Sequence, residues 1–201
     1  MYSIVDETIN EIEVEHSRFI GIILHCEDKD EIKNILIKIK KQYPKARHYC
    51  YAAKINDYLK SSDDGEPSGT AGRPLLDLIA KNNLNNIIII VVRYFGGILL
   101  GAGRLLRTYV EAGIKVIEKA NLYQVIEGFI YEMEMDYSTF ERFIAFTKQQ
   151  DILLLNKEFS DQIKVQVFNK KELEEIVENS FFKEIKIIDK KHQVRYVKEG
   201  N

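Results

Sequence analysis

The polar stretch 62–74 carries the side chains whose chemistry is easiest to name. Asp63, Asp64 and Glu66 place three carboxylates within four positions. Carboxylate oxygens are the ligands that hard cations such as Mg²⁺ prefer, so these three residues are candidate ligands of a divalent cation. The spacing is not that of an EF-hand, because the alternating ladder of oxygen ligands and the distal Glu are missing.

An enzymatic interpretation of the same stretch adds two side chains. Asp63, Asp64 or Glu66 would act as a general base or hold the cation, and His48 or Ser68 would assist. Ser68 does not lie in a nucleophile elbow, because the Gly-x-Ser-x-Gly pattern fails at both glycine positions. The alternative is a solvated polar loop whose serine and threonine hydroxyls cap the next helix.

The second stretch runs from Val92 to Arg104 and contains four glycines between an apolar run and a helical pattern. Glycines permit positive φ and close backbone approach, and a helix start presents unpaired N–H groups, so together they can form an anion site. The stretch is neither a P-loop nor a dinucleotide fingerprint, since Leu106 stands where the fingerprint needs glycine. Tight turns and close strand–helix packing remain the alternative. The candidate anion-binding residues are Arg73, Arg93, Tyr94, Gly96, Gly97, Gly101, Gly103, Arg104 and Arg107.

Hydrophobic periodicity predicts the elements that position these two stretches. Residues 87–92 are six apolar residues in succession and predict a buried strand, and a helical pattern follows over 104–120. Residues 74–81 predict a short helix with proline in its first turn, where proline is tolerated. Residues 48–55 predict a strand, whereas 56–72 lack an apolar period and predict a long loop.

The remainder of the chain predicts two further groups of elements. Strands over 9–15 and 18–26 and a helix over 28–42 precede the first stretch. From residue 127 the pattern becomes β-α-β-β-α-β, which is the ferredoxin-like plan. Its predicted elements are a strand over 129–135, a helix over 138–150, strands over 152–159 and 162–168, a helix over 171–180 and a strand over 184–197.

Composition predicts a folded chain with unevenly distributed charge. The 201 residues are 45% hydrophobic with a net charge of −2, and residues 73–107 carry five Lys or Arg against one Asp. Such a basic segment favours an anionic partner such as nucleic acid. No apolar run approaches the ~20 residues of a membrane span, and the N-terminus lacks the features of a signal peptide. We therefore expect a cytoplasmic protein with no membrane partner and two reduced cysteines.

Four segments together resemble the signature segments of the YigZ/IMPACT family. They are Ser17-Arg18-Phe19-Ile20, His48 with Cys50-Tyr51-Ala52, residues 62–74, and residues 91–107 with Tyr109. The resemblance implies an α+β chain of two domains. Residues 1–126 would form an α/β sandwich similar to ribosomal proteins and to domain IV of elongation factor G. Residues 127–201 would form a ferredoxin-like βαββαβ domain similar to the last domain of that factor.

Two residues depart from the pattern of this family. Leu99 stands where lysine is common, and Arg104 stands where glycine is common. The loop therefore keeps its charge but holds the cation at another position. Eukaryotic members regulate translation initiation and carry a separate N-terminal partner-binding domain, whereas the matching segments here begin close to residue 1. The resemblance therefore implies a link to translation without the whole eukaryotic role.

The leading hypothesis is a non-enzymatic, translation-linked regulatory factor that binds RNA or the ribosome through the groove between loops 62–74 and 93–107. The resemblance implies the link to translation, and the basic segment with the glycine-rich helix start implies the anionic partner. This hypothesis requires no cofactor. Two alternatives stay open. One is a metal-assisted enzyme that acts on a phosphorylated small molecule with a divalent cation, and the other is a regulatory module that binds a protein partner in translation control.

Overall fold

The computed structural model describes residues 1–174, 182 and 184–198. The chain divides into two units: unit 1 is Met1–Gln124 with the end of the chain from Tyr196, and unit 2 is Val125–Arg195. In chain order the elements are β1 (Tyr2–Ser3), β2 (Thr8–Val14), β3 (Ser17–His25), α1 (Glu31–Gln42), β4 (His48–Ile55), β5 (Tyr58–Ser62), α2 (Gly72–Lys81), β6 (Ile87–Tyr94), α3 (Ala102–Lys119), β7 (Tyr123–Met135), α4 (Tyr137–Gln149), β8 (Leu153–Phe159), β9 (Ile163–Asn169) and β10 (Lys186–Lys198).

Unit 1 is built on an antiparallel sheet in the order β2-β3-β6-β4-β5. Its central strand β6 is buried on both faces, because α2 and α3 pack on one side of the sheet and α1 packs on the other. Alternate side chains of a strand point to opposite faces, so double burial requires an unbroken apolar run. Ile87, Ile89 and Val91 accordingly join one core cluster, and Ile88, Ile90 and Val92 join the other.

The predicted loop over 56–72 contains a strand, so the prediction is wrong for 58–62. β5 pairs antiparallel with β4 after a tight turn in which Asn56 has a φ of 52°. Most residues of β5 are exposed because it is the edge strand of the sheet. Backbone pairing rather than burial holds this strand, and a strand without a buried face shows no apolar alternation.

Unit 2 follows the ferredoxin-like plan. Its strands lie in the order β10-β7-β9-β8, and its core contains inward side chains of β7 and β9. The helix predicted over 171–180 falls largely outside the described residues. Two sheets with four described helices confirm the predicted α+β fold class. No helix in the described part of the chain is both long and apolar enough to cross a membrane.

Candidate functional site

A cavity of about 320 Å³ in unit 1 is lined by residues of both loops that the sequence singled out. The loop before α2 contributes three residues, the loop between β6 and α3 contributes four, and three more come from β6 and the first turn of α3. The last two are His48, the first residue of β4, and the residue before it. The lining residues are Arg47, His48, Gly65, Glu66, Pro67, Arg93, Phe95, Leu99, Leu100, Gly101, Ala102 and Leu105.

Asp63 holds the first loop in shape. Its carboxylate accepts hydrogen bonds from the backbone N–H groups of Gly69, Ala71 and Gly72, at 2.9, 2.9 and 2.8 Å. Burial alone would raise the pKa of Asp63, but these three donors together lower it. Asp63, rather than a serine or threonine hydroxyl, therefore accepts the N–H of the N-cap Ala71 and that of Gly72, the first residue of α2.

Asp64 fixes the orientation of His48. The backbone carbonyl of Asp64 lies 2.8 Å from Nδ1 of His48, and its carboxylate accepts the backbone N–H of Tyr49 at 2.7 Å. A carbonyl oxygen only accepts hydrogen bonds, so Nδ1 carries the hydrogen. In the neutral ring, Nε2 then keeps a free lone pair and lies 3.8 Å from Oε2 of Glu66, and both residues line the cavity.

Glu66 and Arg93 form a buried ion pair beside the cavity. Nη1 of Arg93 donates to Oε1 of Glu66 at 2.6 Å, and the two side chains are only 5% and 4% exposed. The hydroxyl of Tyr109 donates to the same oxygen at 2.8 Å. The sequence predicted Arg93 as a free cation for an anion, whereas its charge is balanced inside unit 1 by Glu66.

Burial makes the two groups behind this ion pair unreactive. Burial raises the pKa of Tyr109, and it raises the pKa of the Cys50 thiol to about 12. Cys50 lies 3.3 Å from the hydroxyl of Tyr109 and 3.0 Å from the carbonyl of Asp63. Cys50 and Cys26 are both free and buried, which agrees with the expected reduced cysteines. A thiol with a raised pKa is a poor nucleophile at neutral pH.

Part of the Arg93 guanidinium has no hydrogen-bond partner. Its Nε is buried and donates to no acceptor in the described part of the chain, although the residue lines the cavity. The guanidinium lies 5.2 Å from the ring centroid of Phe19 and 5.5 Å from that of Phe95. Arg47 lies 5.2 Å from the centroid of Phe95 as well. Two cations therefore converge on one aromatic ring at the cavity wall.

The four glycines of the second loop serve different purposes. A Cβ atom on Gly96 would lie 2.1 Å from the backbone of His16, and its N–H donates to Ser17, so Gly96 serves packing rather than anion binding. Gly97 and Gly101 have φ values of 89° and 72°, which favour glycine. Gly103 lies in the first turn of α3, where an added Cβ would meet only the guanidinium of Arg107, at 3.9 Å.

The start of α3 offers free donors to the cavity. Leu105 donates to the carbonyl of Gly101, which makes Gly101 the N-cap. The N–H groups of Ala102, Gly103 and Arg104 precede the first intrahelical bond and donate to no described acceptor. Gly101 and Ala102 line the cavity, so this positive end of the helix dipole faces it.

The structure leaves several predicted residues out of the cavity lining. Ser68 is exposed, and the hydroxyl of Tyr94 donates to the carbonyl of Pro44. Arg73 pairs with Asp77, and Arg104 pairs with Glu15, both on the surface. Arg107 is also exposed, but the described residues give it no ion-pair partner.

The three carboxylates of the first loop do not form a metal site together. Asp63 is bound to backbone N–H groups, Asp64 to Tyr49, and Glu66 to Arg93. Among the described residues no group of three or more His, Cys, Asp or Glu side chains could hold a metal ion.

Sequence reasoning missed Arg47 and Phe95. Arg47 belongs to the run of basic residues around α1, although it directly precedes His48 at the start of β4. Phe95 lies inside the second stretch, but no periodicity marks a single aromatic residue in a loop. The cluster of Arg47, Arg93 and Phe95 forms only when β4 and β6 pair, through contacts such as the backbone bond from Arg47 to Arg93 at 2.9 Å.

Comparison with known proteins gives these residues a family context. The family model described as the Impact N-terminal domain matches residues 15–117, which include both loops. An IMPACT family member of Haemophilus influenzae is 37% identical over 161 residues, covering 76% of this chain and 77% of that protein. IMPACT family member YvyE of Bacillus subtilis is 36% identical over 165 residues, covering 79% of this chain and 75% of that protein.

Solved structures are similar to the chain at lower identity. A crystal structure described as that of a hypothetical protein covers 98% of this chain and 97% of its own, with a TM-score of 0.62 and 24% identity, which shows the fold alone. The structure of the two-domain translational regulator Yih1 reaches a TM-score of 0.32 over 57% of this chain and 46% of its own, too low to support a shared fold. By its domain match and its relatives, the chain belongs to the IMPACT family.

Proposed function

We propose that this chain acts in translation control by binding RNA, with a backbone phosphate held in the cavity between the two loops. The observation that carries the proposal is the start of α3, where the N–H groups of the first turn are free and Ala102 lines a cavity that Arg47 also lines. Helix-start N–H groups and an arginine are the donors that phosphate oxygens accept best. The link to translation, and with it a cytoplasmic location, rests on the family resemblance.

The distribution of free charge favours particular arginines. Arg47 and Arg107 are exposed, and neither has an ion-pair partner among the described residues. Arg73 and Arg104 are paired, so a phosphate would have to compete with a carboxylate for each of them. Arg47 lines the cavity itself, which makes it the first candidate for binding a phosphate.

The salt dependence of RNA affinity tests this proposal. Fluorescence anisotropy with a labelled single-stranded RNA, repeated over a series of salt concentrations, gives the slope of log K against log salt. The slope for a single strand becomes shallower by about 0.7 for each phosphate that the protein no longer neutralises. We expect this change for Arg47→Gln.

Lys115→Gln is the matched control, because it also removes one positive charge. Lys115 lies about 20 Å along α3 from the first residue of the helix, at 1.5 Å per residue. We expect this variant to keep the wild-type slope and affinity. A wild-type chain without RNA affinity, an affinity that salt does not change, or equal losses in the two variants would each overturn the proposal.

A protein partner in translation control is the second candidate function. The observation that favours it is the tip of the second loop, where Leu99 is 87% exposed and Ile98 is 43% exposed. Exposed large apolar side chains at a loop tip are a common feature of protein interfaces. Pull-down of one defined protein by the wild type, and its loss with Leu99→Ser, would support this candidate. Capture of RNA alone would leave the first proposal in place.

A further inference from the structure

When the His48 ring is neutral, two hydrogen-bond acceptors at the cavity lie side by side without a donor. Oε2 of Glu66 and Nε2 of His48 are 3.8 Å apart, and neither accepts a hydrogen bond from a described residue. The bonds from Arg93 and Tyr109 both go to Oε1 of Glu66. The bond between His48 and the Asp64 carbonyl uses Nδ1 and leaves the lone pair of Nε2 free in the neutral ring.

Both acceptors belong to side chains that are largely shielded from solvent at the cavity wall. The side chains of Glu66 and His48 are 4% and 12% exposed, and both residues line the cavity. Neither acceptor has a donor among the described residues, so a ligand in the cavity can supply one to each. The cavity therefore offers donors for an anion at the start of α3, and acceptors for hydroxyl groups at Glu66 and His48.

This arrangement of donors and acceptors matches the 3′-terminal nucleotide of an RNA chain. The 2′ and 3′ hydroxyls of a terminal ribose are neighbouring donors on one ring, and the phosphate of the same nucleotide is the anion. An internal ribonucleotide keeps only its 2′ hydroxyl, because its 3′ oxygen is esterified. A DNA end keeps only its 3′ hydroxyl. Either would leave one of the two acceptors unsatisfied.

We propose that the cavity recognises the free 3′ end of an RNA chain, an inference that rests on the proposed function. The terminal ribose hydroxyls donate to Oε2 of Glu66 and Nε2 of His48, and the terminal phosphate accepts from Arg47 and the first turn of α3. The cavity volume of about 320 Å³ lies within the range of small-ligand sites, which suits one nucleotide.

The apolar residues of the cavity wall can contact a base but cannot distinguish one base from another. Phe95, Leu100 and Leu105 supply apolar contact area at the cavity, and their side chains carry no hydrogen-bonding groups that could distinguish one base edge from another. We therefore expect the four terminal bases to bind with similar affinity.

Changing the ligand tests the inference without disturbing the fold. We would measure dissociation constants by anisotropy for one short RNA prepared with three ends: a 2′,3′-diol, a terminal 3′-deoxynucleotide, and a terminal 2′,3′-dideoxynucleotide. We expect the diol end to bind roughly tenfold more tightly than the 3′-deoxy end, with a further loss for the dideoxy end. Equal affinity for all three ends overturns the inference, yet leaves the proposed RNA binding standing. Absence of binding to every RNA overturns both.

The variant His48→Phe identifies the acceptor. Phenylalanine keeps a ring of similar size but has no Nε2, so the preference for the diol end over the dideoxy end, which lacks both hydroxyls, should fall roughly tenfold. If His48 served only to support the loop, the variant would weaken binding of both RNAs equally and keep their ratio. A retained ratio in a folded variant therefore overturns the role of His48.

Discussion

The buried ion pair between Glu66 and Arg93 provides the sharpest prediction about stability. In Glu66→Gln the side-chain shape is kept, but the guanidinium of Arg93 loses its counter-charge while it remains only 5% exposed. Removing one partner of a buried pair costs about 3–5 kcal/mol, because an uncompensated charge stays buried. The amide oxygen of glutamine can still accept from Arg93, so we expect the lower end, about 3 kcal/mol, in the free energy of unfolding of unit 1.

A surface ion pair of nearly the same length supplies the control. Arg104 and Glu15 lie 2.7 Å apart, against 2.6 Å for the buried pair, but their side chains are 50% and 36% exposed. Exposed pairs contribute about 0–1 kcal/mol, so Glu15→Gln should change stability by less than about 1 kcal/mol. The two ion pairs have nearly the same length, so the difference between their expected contributions to stability comes from burial.

Hydrogen exchange of the β6 amides measures the effect in unit 1. These amides lie in the centre of the sheet, so their protection reports the opening of its core. A loss of about 3 kcal/mol makes exchange more than a hundredfold faster, at tenfold per 1.4 kcal/mol. The double variant Glu66→Gln with Arg93→Met should recover part of this loss, because no charge is then buried alone. A loss below about 1 kcal/mol, or no recovery in the double variant, would refute the reasoning.

Three further predictions concern the loops and the thiols. Asp63→Asn should cost about 1–2 kcal/mol at neutral pH. Because folding lowers the pKa of Asp63, its contribution is present above about pH 4 and fades below it, so urea titrations of wild type and variant should converge in acid. Gly96→Ala should destabilise unit 1 by several kcal/mol, because the added Cβ would clash with the backbone. Gly97 lies in open space at a φ of 89°, so Gly97→Ala should cost only about 1–2 kcal/mol. Equal shifts in the melting temperatures of the two variants would contradict this prediction. Cys26 and Cys50 should not react with a thiol reagent at pH 8 in the native chain, and both should react after denaturation.

Local patterns were sufficient for most of the fold. The unbroken apolar run 87–92 identified the central strand, because a strand covered on both faces has no polar side. The glycine-rich stretch identified the start of α3, and the segments 62–74 and 91–107 identified the family. Edge strand β5 was not predictable in the same way, because its residues are exposed and only its pairing with β4 defines it.

By itself, the sequence determined most of the elements, the family and the two loops that line the cavity. The tertiary structure decided which charges remain free for a ligand. Glu66 meets Arg93 across 27 residues and Tyr109 across 43, and Arg104 meets Glu15 across 89. Periodicity describes neighbours along the chain, whereas the free charge of a side chain depends on burial and on partners that only folding brings near. For that reason Arg93, the central residue of the predicted anion site, is already neutralised, while Arg47 is available at the cavity.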